Sequence, residues 1–200
     1  MSYDKPIMKT PATETRQHIL EVARTLMTQK GYTAVGLAEV VAAANVPKGS
    51  FYYYFKSKEA FGEALLEEYF SEYLNRITPI LEGPGAASER LMNYFRYWKD
   101  TQCSDRHDIK CLVVKLGAEV CDLSEGMRDV LSRGTQAIVG KLAKCIEDGY
   151  SDGTITSSGS SLLFAQALYQ AWLGASLMVK LHGHNEPFDT ALAMTQRQLA

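Results

Sequence analysis

Residues 47–59 read PKGSFYYYFKSKE, and no packed core can absorb that run. With 3.6 residues per helical turn, three consecutive tyrosines point in different directions, so at least one of Tyr52, Tyr53 and Tyr54 is left in water. Phe51 and Phe55 stand four apart and share a face, which is expected to pack inward against Val40, Val41 and the preceding helix. Lys48, Ser50 and the three tyrosines then face outward, with Lys56 and Lys58 behind them. Gly49 adds no side chain, so a partner can approach the backbone there. A surface of phenols and ammonium groups around one helix start implies an anionic partner.

The residues before this run sharpen that expectation. GLAEVVAAANV predicts a short helix opening at Gly36, a weak cap, and Asn45-Val46-Pro47 predicts a turn into the next helix. Two short helices joined by a three-residue turn have the dimensions of a helix-turn-helix, whose second helix enters the major groove of DNA. On that reading Pro47 and Lys48 open a helix whose free N–H groups favour phosphate. Tyrosine hydroxyls bond to phosphate, their rings lie against thymine methyls, and the lysines supply the salt-sensitive affinity. Charge agrees: residues 1–60 hold eight Lys/Arg against five Asp/Glu, while the whole chain is at −2.

The remainder predicts helices throughout, giving an all-α chain of about nine helices without β-signals. TRQHILEVARTLMTQKGY carries an apolar stripe, with Thr13 or Thr15 as the expected cap and Gly31 as the stop. A long fourth helix opens on the Ser57/Glu59 capping signal and runs to about residue 81. Further helices are expected near 86–100, 111–119 and 124–148, then an almost wholly apolar one near 161–182 and a short last one near 187–198. The expected division is a DNA-binding domain over 1–58 and a regulatory, dimerising domain over 59–200. No apolar run is expected to reach a membrane span, and MSYDKPIMKTPATETR lacks a signal peptide's apolar core, so the expected compartment is the cytoplasm. The four cysteines are then resting thiols; without CxxC or a nearby His pair they imply no metal site, and nothing in the chain calls for a cofactor.

Gly31-Tyr32, LAEVVAAANV, KGSFYYYFKSKEAF and the long fourth helix together resemble the N-terminal domain of TetR-type transcriptional repressors over residues 13–69. The resemblance implies a homodimer built on residues of about 161–182 and 187–198, with its two recognition helices in successive major grooves of a palindromic operator. Gly36 departs from the pattern, because many members place a Ser or Thr hydroxyl there.

The sensor is sought in the second half. Cys111 and Lys115 are four apart, and a cation one helical turn away favours thiolate. Lys180 is the sole charge between Ser161 and Leu181, and would be a second activator if its helix packs on the one carrying Cys111. Cys121 lies ten residues beyond Cys111, too far to bridge within one straight helix, and Cys145 reads as a small buried hydrophobe. CLVVKLGAEVC, VPKGSFYYYF and LYQAWLGASLMVK further resemble a subgroup of that family, the repressors of N-ethylmaleimide reductase operons. That resemblance implies an electrophile or oxidant as inducer, with Cys111 as the sensing thiol and Cys103 and Cys121 as accessory thiols. The chemistry would be an adduct, a sulfenic acid, or a bond to a nearby amine or thiol. The alternative keeps the fold and places a reversible lipophilic inducer in a pocket lined by Tyr94, Phe95, Trp98, Phe164, Tyr169 and Trp172. A thiol enzyme is disfavoured, since no Cys/His/Asp set or phosphate-binding glycine loop is present.

Overall fold

The computed structural model describes residues 11–104 and 110–200, with side chains from residue 13 onward. Among them are nine α-helices and no strand: α1 Pro11–Lys30, α2 Leu37–Ala43, α3 Lys48–Tyr54, α4 Lys58–Leu81, α5 Ala87–Cys103, α6 Leu112–Leu123, α7 Glu125–Asp152, α8 Ser161–His182 and α9 Glu186–Leu199. The all-α expectation stands. Thr13 and Thr15 are not caps, because α1 already begins at Pro11, a residue suited to a first turn that has no use for its missing N–H. Gly31 ends α1 as expected: its φ of 97° is open to glycine, and its N–H closes on the Met27 carbonyl at 2.9 Å.

The three N-terminal helices close around aromatic rings. Phe51 and Phe55 are buried, and each lies 4.9 Å from the ring of Phe61 on α4, so the start of the long helix is part of the same core. Asn45 takes φ 52° in the turn between α2 and α3, a left-handed conformation that Asn tolerates better than most residues. The Ser57 hydroxyl caps α4 by accepting the Ala60 N–H at 3.1 Å.

From there α4 runs into the C-terminal bundle and packs along α7. The approach is close: a Cβ on Gly134 would stand 2.3 Å from the Phe70 ring. Helix α8 is apolar on two sides. Leu168, Tyr169 and Trp172 are buried in the bundle, while Leu162, Leu163, Leu177, Met178 and Leu181 face out. By length and composition α8 could cross a membrane, which corrects the expectation that no run reaches that length. Ser161, Gln166, Gln170 and Ser176 punctuate it and hide its extent in a reading of uninterrupted apolar runs.

Candidate operator-binding face and thiol cavity

At the N-terminal end, α3 turns Tyr52 (51 % exposed) and Tyr53 (78 % exposed) into solvent, along with Lys48 and Gly49. The space a Cβ on Gly49 would enter is open, so nothing in the fold itself demands glycine there. Ser50 is half-buried. Two expectations need correction. Tyr54 is half-buried against the core with its ring 4.9 Å from that of Tyr53, because the last residue of α3 turns its ring toward Phe55 and the core. Lys58 is only partly exposed: its ammonium sits 4.8 Å from the Tyr32 ring centre, and its carbonyl accepts the Tyr32 hydroxyl at 2.8 Å. Burial, then the carboxylates of Glu59 and Glu119, push that phenol up to about 12.

Beside the middle of α4, Cys111 is the N-cap of α6 rather than a residue within it. It is 8 % exposed and forms part of the wall of a cavity of about 350 Å³, together with Lys110, Lys115, Val114, Ser176 and Lys180. The three expected partners Cys111, Lys115 and Lys180 are thus brought together around one space. The expected activation is not. Burial pushes the Cys111 thiol up, against a weaker pull from the Tyr69 hydroxyl on α4 and from the N–H groups of Val114 and Val113. The neutral thiol makes no capping hydrogen bond; those N–H groups lie where they favour the anion. Lys115 instead donates to the Gln29 carbonyl at 3.1 Å. Lys180 is exposed, and its ammonium is held below its usual range by desolvation and then by the charges of Lys115 and Lys110.

Four buried tyrosines surround the thiol electrostatically: Tyr69 and Tyr73 from α4, Tyr94 from α5 and Tyr169 from α8. Burial drives each phenol well above its ordinary value, and the Cys111 charge adds to the effect. Tyr69 stacks on Tyr73, whose hydroxyl meets that of Tyr94 at 3.2 Å. Tyr94, Phe95, Trp98, Tyr169 and Trp172 do not line the cavity beside Cys111. They pack on each other, with Phe95 stacked 4.7 Å from Trp172 and Trp98 edge-on 5.4 Å from Tyr169, which makes them core rather than a ligand pocket. Phe164 stands apart from them, on a different cavity beside Tyr150.

The remaining cysteines differ. Cys145 is buried, donates to the Ala87 carbonyl at 3.5 Å, and is pushed up to about 11 by burial. Cys121 is half-buried against the core near the C-terminal end of α6, ten positions beyond Cys111 at its N-cap. Cys103 is exposed at the end of α5; part of the loop expected around it, residues 105–109, lies outside the described residues. No metal-binding cluster occurs among the described residues.

One residue escaped the sequence reading. Glu119 on α6 reaches the end of α1: its carboxylate accepts the Tyr32 N–H at 3.1 Å, the Thr33 N–H at 2.7 Å and the Thr33 hydroxyl. Burial alone would raise this carboxyl, but those bonds and nearby Lys115 outweigh it and hold it below the usual range. An acid at 119, in mid-helix between Ala118 and Val120 of LVVKLGAEVCDL, was the available signal; its partner, 87 positions away, was not.

A helix-turn-helix head joined by one long helix to a helical bundle is shared by a large group of regulators, and two family models match most of the chain. Residues 19–65 match bacterial regulatory proteins of the tetR family, and residues 87–195 match a tetracyclin repressor-like C-terminal domain. The chain belongs to the TetR family. Within that family it is 41 % identical over 188 residues to the HTH-type transcriptional repressor NemR of Escherichia coli, covering 94 % of each chain. It is 35 % identical to the HTH-type transcriptional repressor DhaR of a Mycobacterium species, over 91 % of this chain and 90 % of that one. A crystal structure of reduced E. coli NemR superposes with a TM-score of 0.89 at 40 % identity, covering 94 % of this chain and 97 % of that one. TetR-family membership makes the protein a non-catalytic DNA-binding regulator, in keeping with the exposed α3.

Proposed function

We propose that this chain is a homodimeric repressor that holds a palindromic operator while Cys111 is a free thiol, and releases it when Cys111 reacts with an electrophile or oxidant. The observation that carries this reading is the position of Cys111: the thiol borders a cavity on one side and meets Tyr69 of α4 on the other. Any group added to sulfur takes up volume between α6 and α4. Burial also makes the thiol slow to ionise, so the protein would react through its small thiolate fraction.

Two routes lead from there to the operator. Tyr69 lies on the helix that starts at Lys58, directly after the recognition helix. Lys115 and Glu119, on the helix that Cys111 caps, tie down the end of α1 through the Gln29 carbonyl and the Tyr32–Thr33 backbone. A shift of α6 therefore pulls on the head as well as on α4, and a few ångströms there misplace one recognition helix. Full release, from 99 % to 1 % occupancy, needs about 5.5 kcal/mol of difference between the two states, so partial derepression by one adduct is the expected outcome.

On this reading Lys48, Gly49, Ser50, Tyr52 and Tyr53 meet the operator, with Tyr54 and Lys58 supporting from behind. Domain 1–58 binds DNA, and 59–200 senses and dimerises. The outward apolar side of α8, with Leu163 (66 % exposed) and Leu181 (67 % exposed), and Met194 of α9 would be covered by the second subunit, which also accounts for an apolar helix in a DNA-binding protein working in the reducing cytoplasm. Cys103 and Cys121 act as accessory thiols.

Fluorescence anisotropy on the upstream DNA, comparing wild type with Cys111→Ser before and after stoichiometric N-ethylmaleimide, tests the reading. Release by wild type and retention by Cys111→Ser is expected. Retention by both removes Cys111 as the sensor.

A further inference from the structure

The cavity beside Cys111 is electrically one-sided. Lys110, Lys115 and Lys180 stand around it, supplied by the segment before α6, by α6 itself and by α8. No Asp or Glu is among the described residues that line it. Other lysines of the bundle have acid partners: Lys99 with Asp189, Lys141 with Glu82, Lys144 with Asp148. Among the described residues no carboxylate comes within ion-pair distance of Lys110, Lys115 or Lys180. Glu119 is near Lys115 and outside the cavity lining, with its oxygens bonded to Tyr32 and Thr33. Lys115 donates one hydrogen bond to the Gln29 carbonyl, a neutral acceptor. Lys180 feels the other two as a repulsive field in addition to its own desolvation.

Three ammonium groups around one space, with no carboxylate among the described residues that line it, form a site for an anion. The thiol on the same wall gives that site a reaction. We propose that the cavity selects electrophiles that carry an anionic group, such as an α,β-unsaturated carboxylate, over neutral ones of equal intrinsic reactivity. This rests on Cys111 being the reacting thiol. The lysines hold the carboxylate and the activated alkene then lies toward sulfur. The thiolate forms a bond to the β-carbon, the alkene π pair moves to the α-carbon, and that carbon takes up a proton equivalent to the one the thiol gave up. Addition is redox-neutral and calls for no co-reactant. The volume, about 350 Å³, suits a small molecule and leaves no room for a peptide. A field of like charges in a partly enclosed space raises the local concentration of the opposite ion, and roughly tenfold is the low end of such focusing.

The test uses the full chain and a pair of maleimides, neutral N-ethylmaleimide and anionic 3-maleimidopropionate. Adduct formation at Cys111 is followed by peptide mass spectrometry, and each rate is divided by that of the same reagent with β-mercaptoethanol. The expected result is a roughly tenfold preference for the anionic reagent at low ionic strength. It should collapse toward one in 1 M salt and in Lys110→Gln/Lys180→Gln. Operator release is read in parallel. Equal normalised rates in wild type, or a preference that survives both salt and the lysine changes, overturns the anion site while leaving the electrophile sensor standing if DNA is still released. Failure of Cys111 to react with either reagent overturns the sensor and this inference together, whereas adduct formation without release overturns the sensor alone. The salt titration needs no variant, so it decides even if the double substitution does not fold.

Discussion

Tyrosine does opposite work on α3 and around the middle of α4. On α3, Tyr52 and Tyr53 stand in water on a head whose core is made by Phe51, Phe55 and Phe61. Around Cys111, Tyr69, Tyr73, Tyr94 and Tyr169 are buried, and their hydroxyls are pushed far from ionisation. The first pair offers polar tips to an anionic surface at small cost to the fold. The second group is packing material that also sets the polarity seen by a thiol. Residue type alone separates neither role; burial does, and burial follows from which helix faces meet.

The largest contrast is expected between neighbours on α3. Phe51→Ala should cost about 3–5 kcal/mol of stability in urea unfolding, since it empties a site buried among Phe55 and Phe61. Tyr53→Ala should change stability by less than about 0.5 kcal/mol while weakening operator binding by about 1–3 kcal/mol. Comparable stability losses for the two would break the comparison.

Next comes the link between the regions. Glu119→Ala should reduce by about tenfold the ratio of operator Kd after and before Cys111 alkylation, within the usual range for one coupling element. An unchanged ratio would leave Tyr69 and α4 as the sole route. The same carboxyl sets a pH dependence. Because it is held below its ordinary value, its stabilisation of the head is present above the unfolded-state pKa and is lost as pH falls through the lowered folded value. Unfolding midpoints of wild type and Glu119→Gln should therefore converge in acid and separate toward neutrality.

Thiol chemistry sharpens the comparison further. With its pKa raised by burial, Cys111 should react with N-ethylmaleimide about tenfold faster per pH unit, without a plateau below pH 9. A plateau near neutrality would restore the lysine-activated thiol. The smallest effect is expected at Cys145, held against the Ala87 carbonyl: Cys145→Ala should leave alkylation-induced release unchanged in the anisotropy assay.

What the sequence determined is local or periodic. Helical spacing, the Ser57 cap, the Gly31 stop and the Phe51/Phe55 face follow from neighbours within a few positions, and all of them hold in the structure. The gathering of Cys111, Lys115 and Lys180 was reachable too, since one charge in an apolar helix has to find water or a partner. Tertiary structure decided the rest. Whether Lys115 acts on a thiol or on the Gln29 carbonyl depends on how α6 crosses the end of α1. Whether Trp98 and Trp172 line a pocket or fill a core depends on how closely α5 and α8 approach. Proton affinity at Cys111 is a balance between desolvation and nearby dipoles, and desolvation is the sum over every neighbour that excludes water. No short stretch of sequence carries that sum.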